Sequence, residues 1–257
     1  MNIKLLGAHN CESRDTRLPG LLIDDVLALD AGSLASSLTF SAQLKLKAIL
    51  LTHYHYDHTR DVAALAMNLF LSGATIDMYS TLPVSEAISI YLLNGRFYPD
   101  FQTRPPGNQT IRFKEIEPFK PVTVAGYNVL AVPVNHRTVP ATGFQITSPD
   151  GKSVFYTGDT GPGLADCWEK ISPQLLIIEV TVPNQHSQFA VTSGHLTPEL
   201  LKQELLIFRG RKGYLPPVVT VHMNPFLEEK TRAEIAALAE ELHSPITVGY
   251  EGMQINL

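Results

Sequence analysis

Cysteine is almost missing from this sequence: Cys11 and Cys167 are the only two in 257 residues, far apart and without Cys-x-x-Cys spacing. That excludes a disulfide framework and a thiolate zinc site. No apolar run approaches the roughly 18–20 residues of a membrane-spanning helix. The opening Met1-Asn-Ile-Lys-Leu-Leu-Gly is too short for a signal peptide and reads as a first strand. Repeats, charge blocks and low-complexity linkers are also missing. Positive charge is not in excess, since 20 Lys and Arg against 25 Asp and Glu leave a net charge of −5. This argues against a broad basic grip on nucleic acid. A small anionic substrate remains compatible, because bound cations would dominate the local field. These absences lead to the expectation of a cytoplasmic globular protein with no membrane partner.

The 44% apolar and 18% charged residues are ordinary for a chain that buries one sizeable core, so one α/β domain over residues 1–257 is expected. Ile3 to Leu6, Gly20 to Ile23 and Val26 to Leu29 read as strands, with Asp24-Asp25 as a hairpin turn. Leu46 to Thr52 is β-rich. Asp61 to Leu71 has helical periodicity, with Val62, Leu65, Ala66 and Leu69 on one face. Leu82 to Pro121 is less regular, with a helix from Pro83 to Leu93 and then an aromatic, Pro- and Gly-rich stretch. Strands resume at Tyr127 to Pro133, Thr142 to Ile146, Ser153 to Thr157, Leu175 to Val180 and Val218 to Val221. Thr197-Pro-Glu-Leu carries the signals of a helix start. Glu229 to Leu242 reads as a surface helix and Val248 to Leu257 as closing strands.

His53, His136, Asp159, Glu179 and His222 each fall at or just after an apolar strand, where sheet-based folds place their site residues. The densest cluster is Thr52-His-Tyr-His-Tyr-Asp-His-Thr. His53, His55, Asp57 and His58 put three imidazoles and a carboxylate within six residues, a set suited to Zn, Mn(II) or Fe(II).

His-x-His-x-Asp-His after a strand resembles the signature of the metallo-β-lactamase superfamily. Its later motifs follow in order: Val134-Asn-His-Arg, Tyr156-Thr-Gly-Asp-Thr-Gly and Thr220-Val-His-Met-Asn-Pro. The resemblance implies a four-layer αββα sandwich with two divalent metal ions at one sheet edge, zinc first. It implies one ion on His53, His55 and His136, the other on Asp57, His58 and His222, and Asp159 bridging both. Two such cations share a hydroxide and lower its pKa toward neutrality, with Asp57 also orienting it. Asp159 in the bridging role argues against the β-lactamases proper.

Two further stretches narrow the resemblance. Ile177-Ile-Glu-Val-Thr-Val-Pro-Asn followed by Ser193-Gly-His-Leu-Thr-Pro-Glu-Leu, and Tyr91-Leu-Leu-Asn-Gly-Arg-Phe-Tyr-Pro-Asp-Phe, resemble the class II cyclic-nucleotide phosphodiesterases and, more distantly, ribonuclease Z. The implied function is a metal-dependent phosphodiesterase acting on a small molecule, with nucleic acid disfavoured and a homodimer allowed. Lactone, thioester or carboxyl-ester hydrolysis is the rival chemistry, and a metal-binding regulator the non-enzymatic rival. His195 is expected to contact phosphate or protonate the leaving group. Glu179 is expected to hydrogen-bond a ligand histidine, and Arg96, Phe97 and Tyr98 to line the substrate mouth. His9, His186 and His243 carry no motif and are read as surface or structural.

Overall fold

Runs such as Leu21-Leu22-Ile23 and Leu175-Leu176-Ile177-Ile178 are apolar at every position, so their strands need cover on both faces. The computed structural model, which describes residues 1–257, supplies it with two seven-stranded sheets packed face to face and helices outside each. The first sheet contains β1 (Asn2–Gly7), β2 (Gly20–Ile23), β3 (Leu27–Leu29), β4 (Ala48–Leu50), β5 (Ile76–Ser80) and β6 (Ile111–Glu115). The second contains β7 (Val122–Val124), β8 (Tyr127–Pro133), β9 (Thr142–Thr147), β10 (Ser153–Tyr156), β11 (Leu175–Glu179), β12 (Val218–Val221) and β13 (Ile246–Val248). The last strand, β14 (Gln254–Asn256), returns to the first sheet beside β1.

Each sheet begins as an antiparallel meander and continues in parallel. β1, β2 and β3 pair antiparallel, then β3 to β6 run parallel. β7 to β10 pair antiparallel, then β10 to β13 run parallel. The parallel half of each sheet needs crossovers, and these are the helices. α1 (Leu34–Ser37), α2 (Phe40–Gln43), α3 (Tyr56–Thr59), α4 (Asp61–Leu71) and α5 (Leu82–Tyr91) belong to the first sheet. α6 (Ala165–Lys170), α7 (Ser187–Ser193), α8 (Pro198–Lys212) and α9 (Glu228–Leu242) belong to the second.

Strand alternation sorts the side chains into three cores. Ile3, Leu5, Leu21, Leu29 and Leu50 meet Val129, Phe144, Tyr156 and Ile177 between the sheets. Leu22, Ala28 and Ile49, on the opposite faces, pack under Val62, Leu65 and Leu69 of α4. Phe155, Leu176 and Ile178 pack under Trp168 of α6 and Leu201, Leu205 and Phe208 of α8. This is the expected four-layer αββα sandwich. No helix is long and apolar enough to cross a membrane.

Most of the expected elements form within one to four residues of the expected ends. Three strands are additional: β5, β6 and β7. β6, Ile-Arg-Phe-Lys-Glu, is an edge strand, and its charged, mostly exposed residues hide a strand signal while guarding the edge. His9 is buried rather than superficial, with Nδ1 2.6 Å from Glu251 and Nε2 3.3 Å from Glu228. It ties the segment after β1 to the C-terminal segment and to α9.

At the β2–β3 hairpin, Asp24 (φ 47°) and Asp25 (φ 59°) are both left-handed, and the Val26 N–H donates to the Ile23 carbonyl at 3.0 Å. Asp24 also accepts from the Asn2 N–H and the Tyr127 hydroxyl. Asp25 carries the left-handed strain without such bonds. Asp25→Gly is therefore expected to stabilise the fold by about 1 kcal/mol, read as a higher urea midpoint; a lower midpoint would show that Asp25 contributes more than its strain costs.

Candidate metal centre

The carboxyl ends of β3, β4, β10, β11 and β12 gather at one edge of the sandwich, joined there by the end of β8, which runs in the same direction as β10. The chain leaves each of these strands through a polar loop, and the loops converge. Two groups of side chains that share Asp159 result, each with its donor atoms mutually within 4.8 Å: His53, His55, His136 and Asp159, and Asp57, His58, Asp159 and His222; Glu179, His195 and His222 make a third beside them.

Asp159 belongs to both groups, and its two oxygens divide between them. Oδ2 lies 3.7 Å from His53 Nε2 and 4.0 Å from His136 Nε2. Oδ1 lies 3.0 Å from His58 Nε2 and 3.3 Å from His222 Nε2. His222 Nε2 is in turn 3.1 Å from Asp57 Oδ2, and His136 Nε2 is 3.2 Å from His55 Nδ1. Ligands bonded to one ion at about 2.0–2.2 Å in a tetrahedron stand roughly 3.3–3.6 Å apart. The spacing around Asp159 is of that size. His53 Nε2, His58 Nε2 and Asp159 Oδ1 are also buried without any hydrogen-bond partner. Orphaned polar atoms cost free energy unless something satisfies them, and divalent cations fit this all-nitrogen and oxygen donor set.

A second layer of bonds turns the rings. His58 donates from Nδ1 to Asp30 Oδ2 at 2.7 Å. Asp30 also accepts from the Thr52 N–H and hydroxyl and from the Tyr156 hydroxyl. The Thr52 oxygen accepts from His53 Nδ1 at 3.0 Å, so one buried carboxylate at the end of β3 orients two histidines. His136 Nδ1 donates to the Gly194 carbonyl at 2.9 Å. His222 Nδ1 donates to Thr181 Oγ1 at 2.9 Å, and Thr181 donates to Glu179 at 2.7 Å. With Nδ1 engaged in each case, Nε2 is the atom left facing the centre.

Two glycines allow the close packing. Gly158 (φ 60°) has no room for a Cβ, which would stand 2.7 Å from the Thr52 side chain. Gly194 (φ 81°) would place one 3.0 Å from His136 Nδ1. Asp30 (φ 57°) and His222 (φ 64°) are left-handed without being glycine, backbone strain concentrated where the loops converge.

The electrostatics follow the same division. Burial drives the His53 pKa well below the usual histidine value, helped by the neighbouring His58. Burial also opposes a charge on His58, but Asp159, Asp30 and Asp57 outweigh it and hold that ring well above the usual value. Burial of Asp159 is likewise outweighed, by His222, His58 and His53, which keep it ionised. A centre that stabilises positive charge among ionised carboxylates is suited to cations.

All seven residues expected as ligands come together here, and His195 joins them. Its ring lies 5.2 Å from that of His136 and stacks 5.3 Å from that of His222, between the two groups. Glu179 does not reach a ligand histidine directly. Its Oε1 accepts from His195 Nδ1 at 2.7 Å and from the Thr160 N–H, and it meets His222 only through Thr181. The Arg96–Tyr98 segment separates: Phe97 lines a neighbouring groove, whereas Tyr98 packs on Phe101 and the outer core. Thr52, Tyr156 and Thr181 stand inside the motifs quoted above, but nothing there marks them as positioning groups. Asp30 stands in no motif and carries one signal, that of an acid directly after the apolar strand Leu27-Ala-Leu.

A family model described as the beta-lactamase superfamily domain matches residues 22–223. A ribonuclease Z from Pyrococcus abyssi is 25% identical over 208 residues, covering 74% of this chain and 61% of its own length. The chain thus spans about three fifths of that curated relative. Among solved structures, the metallo-beta-lactamase fold protein YhfI from Bacillus subtilis has a TM-score of 0.77 at 18% identity, with 99% of this chain and 98% of that one covered. Unliganded yeast PDE1 has a TM-score of 0.84 at 15% identity, with 100% and 99% covered. At these identities the two structures establish likeness of fold.

Asp30→Ala is expected to leave the chain folded but to weaken divalent-metal binding about 10- to 100-fold, measured by competition with a chromophoric chelator. His53→Ala is expected to lose bound metal on elemental analysis. Full metal content in the His53 variant would remove that residue from the centre.

Proposed function

The chain belongs to the β-lactamase superfamily and has the metallo-β-lactamase fold; from that premise we propose that it is a metal-dependent hydrolase acting on phosphodiesters. One unit of residues 1–257 carries the reaction. His53, His55 and His136 hold one divalent ion and Asp57, His58 and His222 a second, with Asp159 shared between them. Zinc is the first choice for this nitrogen and oxygen set, with manganese or ferrous iron as alternatives. The bound ions supply Lewis acidity, lowering the pKa of water and neutralising charge on the phosphoryl oxygens.

His195 is the observation that carries the phosphodiester reading. Burial works against its charge, but Glu179 at 2.7 Å, with Asp159 and Asp57 farther off, pushes its pKa up to about 9. Glu179 holds Nδ1, which leaves Nε2 as the donor. An imidazolium between His136 and His222 matches the anionic oxygen of a phosphodiester and provides a proton for the departing alkoxide. Asp57, half-buried at the rim, orients the attacking water. Glu179 keeps the His195 tautomer and ring orientation, and Gly194 and Thr181 do the same for His136 and His222. The likeness in sequence to a ribonuclease Z supports phosphodiester chemistry. The net charge of −5 favours a small diester, such as a cyclic nucleotide, over a polynucleotide.

Pure protein reconstituted with zinc or manganese is expected to hydrolyse bis-p-nitrophenyl phosphate and 3′,5′-cyclic AMP, and a chelator to abolish both activities. Turnover of a thioester or lactone with no diester turnover would overturn the reading in favour of acyl chemistry.

His195→Ala is expected to keep its metal and lose about 10²–10⁴-fold in diester turnover. Because the protonated ring is the active form, the activity it supports falls as pH rises through the His195 pKa, which Glu179 holds above the ordinary histidine value. His195→Gln should remove that limb of the pH profile. An unchanged profile in this variant would take His195 out of the proton transfer.

A further inference from the structure

The groove that Phe97 lines, of about 570 Å³, lies beside the loop that carries His53 and His55. One wall is the ligand loop itself. Tyr54 and Tyr56 alternate with His53 and His55, so one short segment turns its histidines toward the centre and its tyrosines toward the groove. The Tyr54 and His55 rings are 5.9 Å apart. The other wall is α5, which contributes Glu86, Ile90 and Tyr91, and Phe97 forms the lip. The aromatic faces are open: Tyr56 is 69% exposed, Tyr91 76% and Phe97 73%. Eight of the eleven lining residues are apolar by class, none is Lys or Arg, and Glu86 is the one carboxylate. Clustered exposed aromatics mark a recognition surface.

We propose that this groove is the specificity subsite for an uncharged, planar ring system attached to the reacting centre. Tyr54 and Tyr56 share one loop with His53 and His55, which places the groove next to the centre and assigns its occupant to the substrate in this proposal. The missing cations disfavour a second phosphate or a polynucleotide backbone. Aromatic walls favour a flat group by stacking, and Glu86 offers an acceptor to a ring N–H. The inference rests on the phosphodiesterase reading only for the identity of the reacting group.

The test compares p-nitrophenyl phosphodiesters that share a leaving group and differ in the second alcohol: methyl, octyl, phenyl or naphthyl. The wild-type, metal-loaded protein is expected to show a kcat/KM about tenfold higher for the ring esters than for methyl, carried mainly by KM. The Tyr91→Ala/Phe97→Ala variant should reduce that ratio to about twofold. An equal ratio in both proteins overturns the proposal, and so does a preference for octyl over naphthyl. Fluorescence titration with naphthol requires no turnover and separates the two readings. If no diester is hydrolysed but naphthol binding weakens about tenfold in the variant, the ring subsite stands and the reaction class falls. Sedimentation is run alongside. A wild-type dimer that becomes monomeric in the variant, without any ring preference, assigns the groove to a second copy of the chain and overturns the proposal.

Discussion

Asp159 is the constraint on which this structure depends. Its carboxylate is 2% exposed, with Oδ1 lacking a hydrogen-bond partner and both oxygens surrounded by imidazoles. A buried, ionised carboxylate is expensive unless positive charge reaches both lone-pair directions. The surrounding loops converge in a way that allows this. Gly158 gives up its side chain so that the Asp159 loop can lie on Thr52, and Glu179 accepts the Thr160 N–H just beyond Asp159. Glu204 of α8 secures the same loop further along by accepting from Gly163, Leu164 and the Trp168 indole.

Each sheet contributes one deeply buried acid to this arrangement. Asp30, at the end of β3, serves the first sheet by holding His58 directly and His53 through Thr52. Glu179, at the end of β11, serves the second by holding His195 directly and His222 through Thr181. Both are completely buried and accept several hydrogen bonds each. Orientation of the reactive rings is therefore fixed by strands packed on both faces rather than by mobile loop side chains. That rigidity is what a centre built from donor atoms 3–4 Å apart requires. Around the rigid part, the wall beside α5 is exposed and aromatic, so the histidines and tyrosines of one four-residue segment face different surroundings.

Legibility in the sequence differs sharply between these layers. Strands buried on both faces, such as β2 and β11, announce themselves as continuous apolar runs, and the hairpin turn is visible in Asp24-Asp25. β6 is not visible, because an edge strand shields itself with charge and its sequence then resembles a loop. β7 is a short edge strand with one buried residue, so it shows no apolar run. The seven clustered donors are legible because few residue types, chiefly His, Cys, Asp and Glu, ligate divalent ions, and four of the seven lie within six residues. Asp30 and Thr181 escape notice because a positioning group is chosen by where it stands in space, and many residue types near a strand end satisfy the same local rules.

The amino-acid sequence by itself determines the mixed α/β class, through the order and apolar pattern of its elements, and the inventory of donors, through the chemistry of imidazole and carboxylate; the four-layer sandwich is what the resemblance carried by its histidine motifs implies. Tertiary structure decides how that inventory is shared. His53 and His136 are separated by most of the first half of the chain, and His58 and His222 by more, so their pairing exists only once two sheets lie face to face. The same folding decides that Glu179 serves His195, that Phe97 lines a groove while Tyr98 is drawn into packing, and that Asp159 turns one oxygen to each group. These are relations between surfaces that meet after collapse, and no local pattern along the chain encodes them.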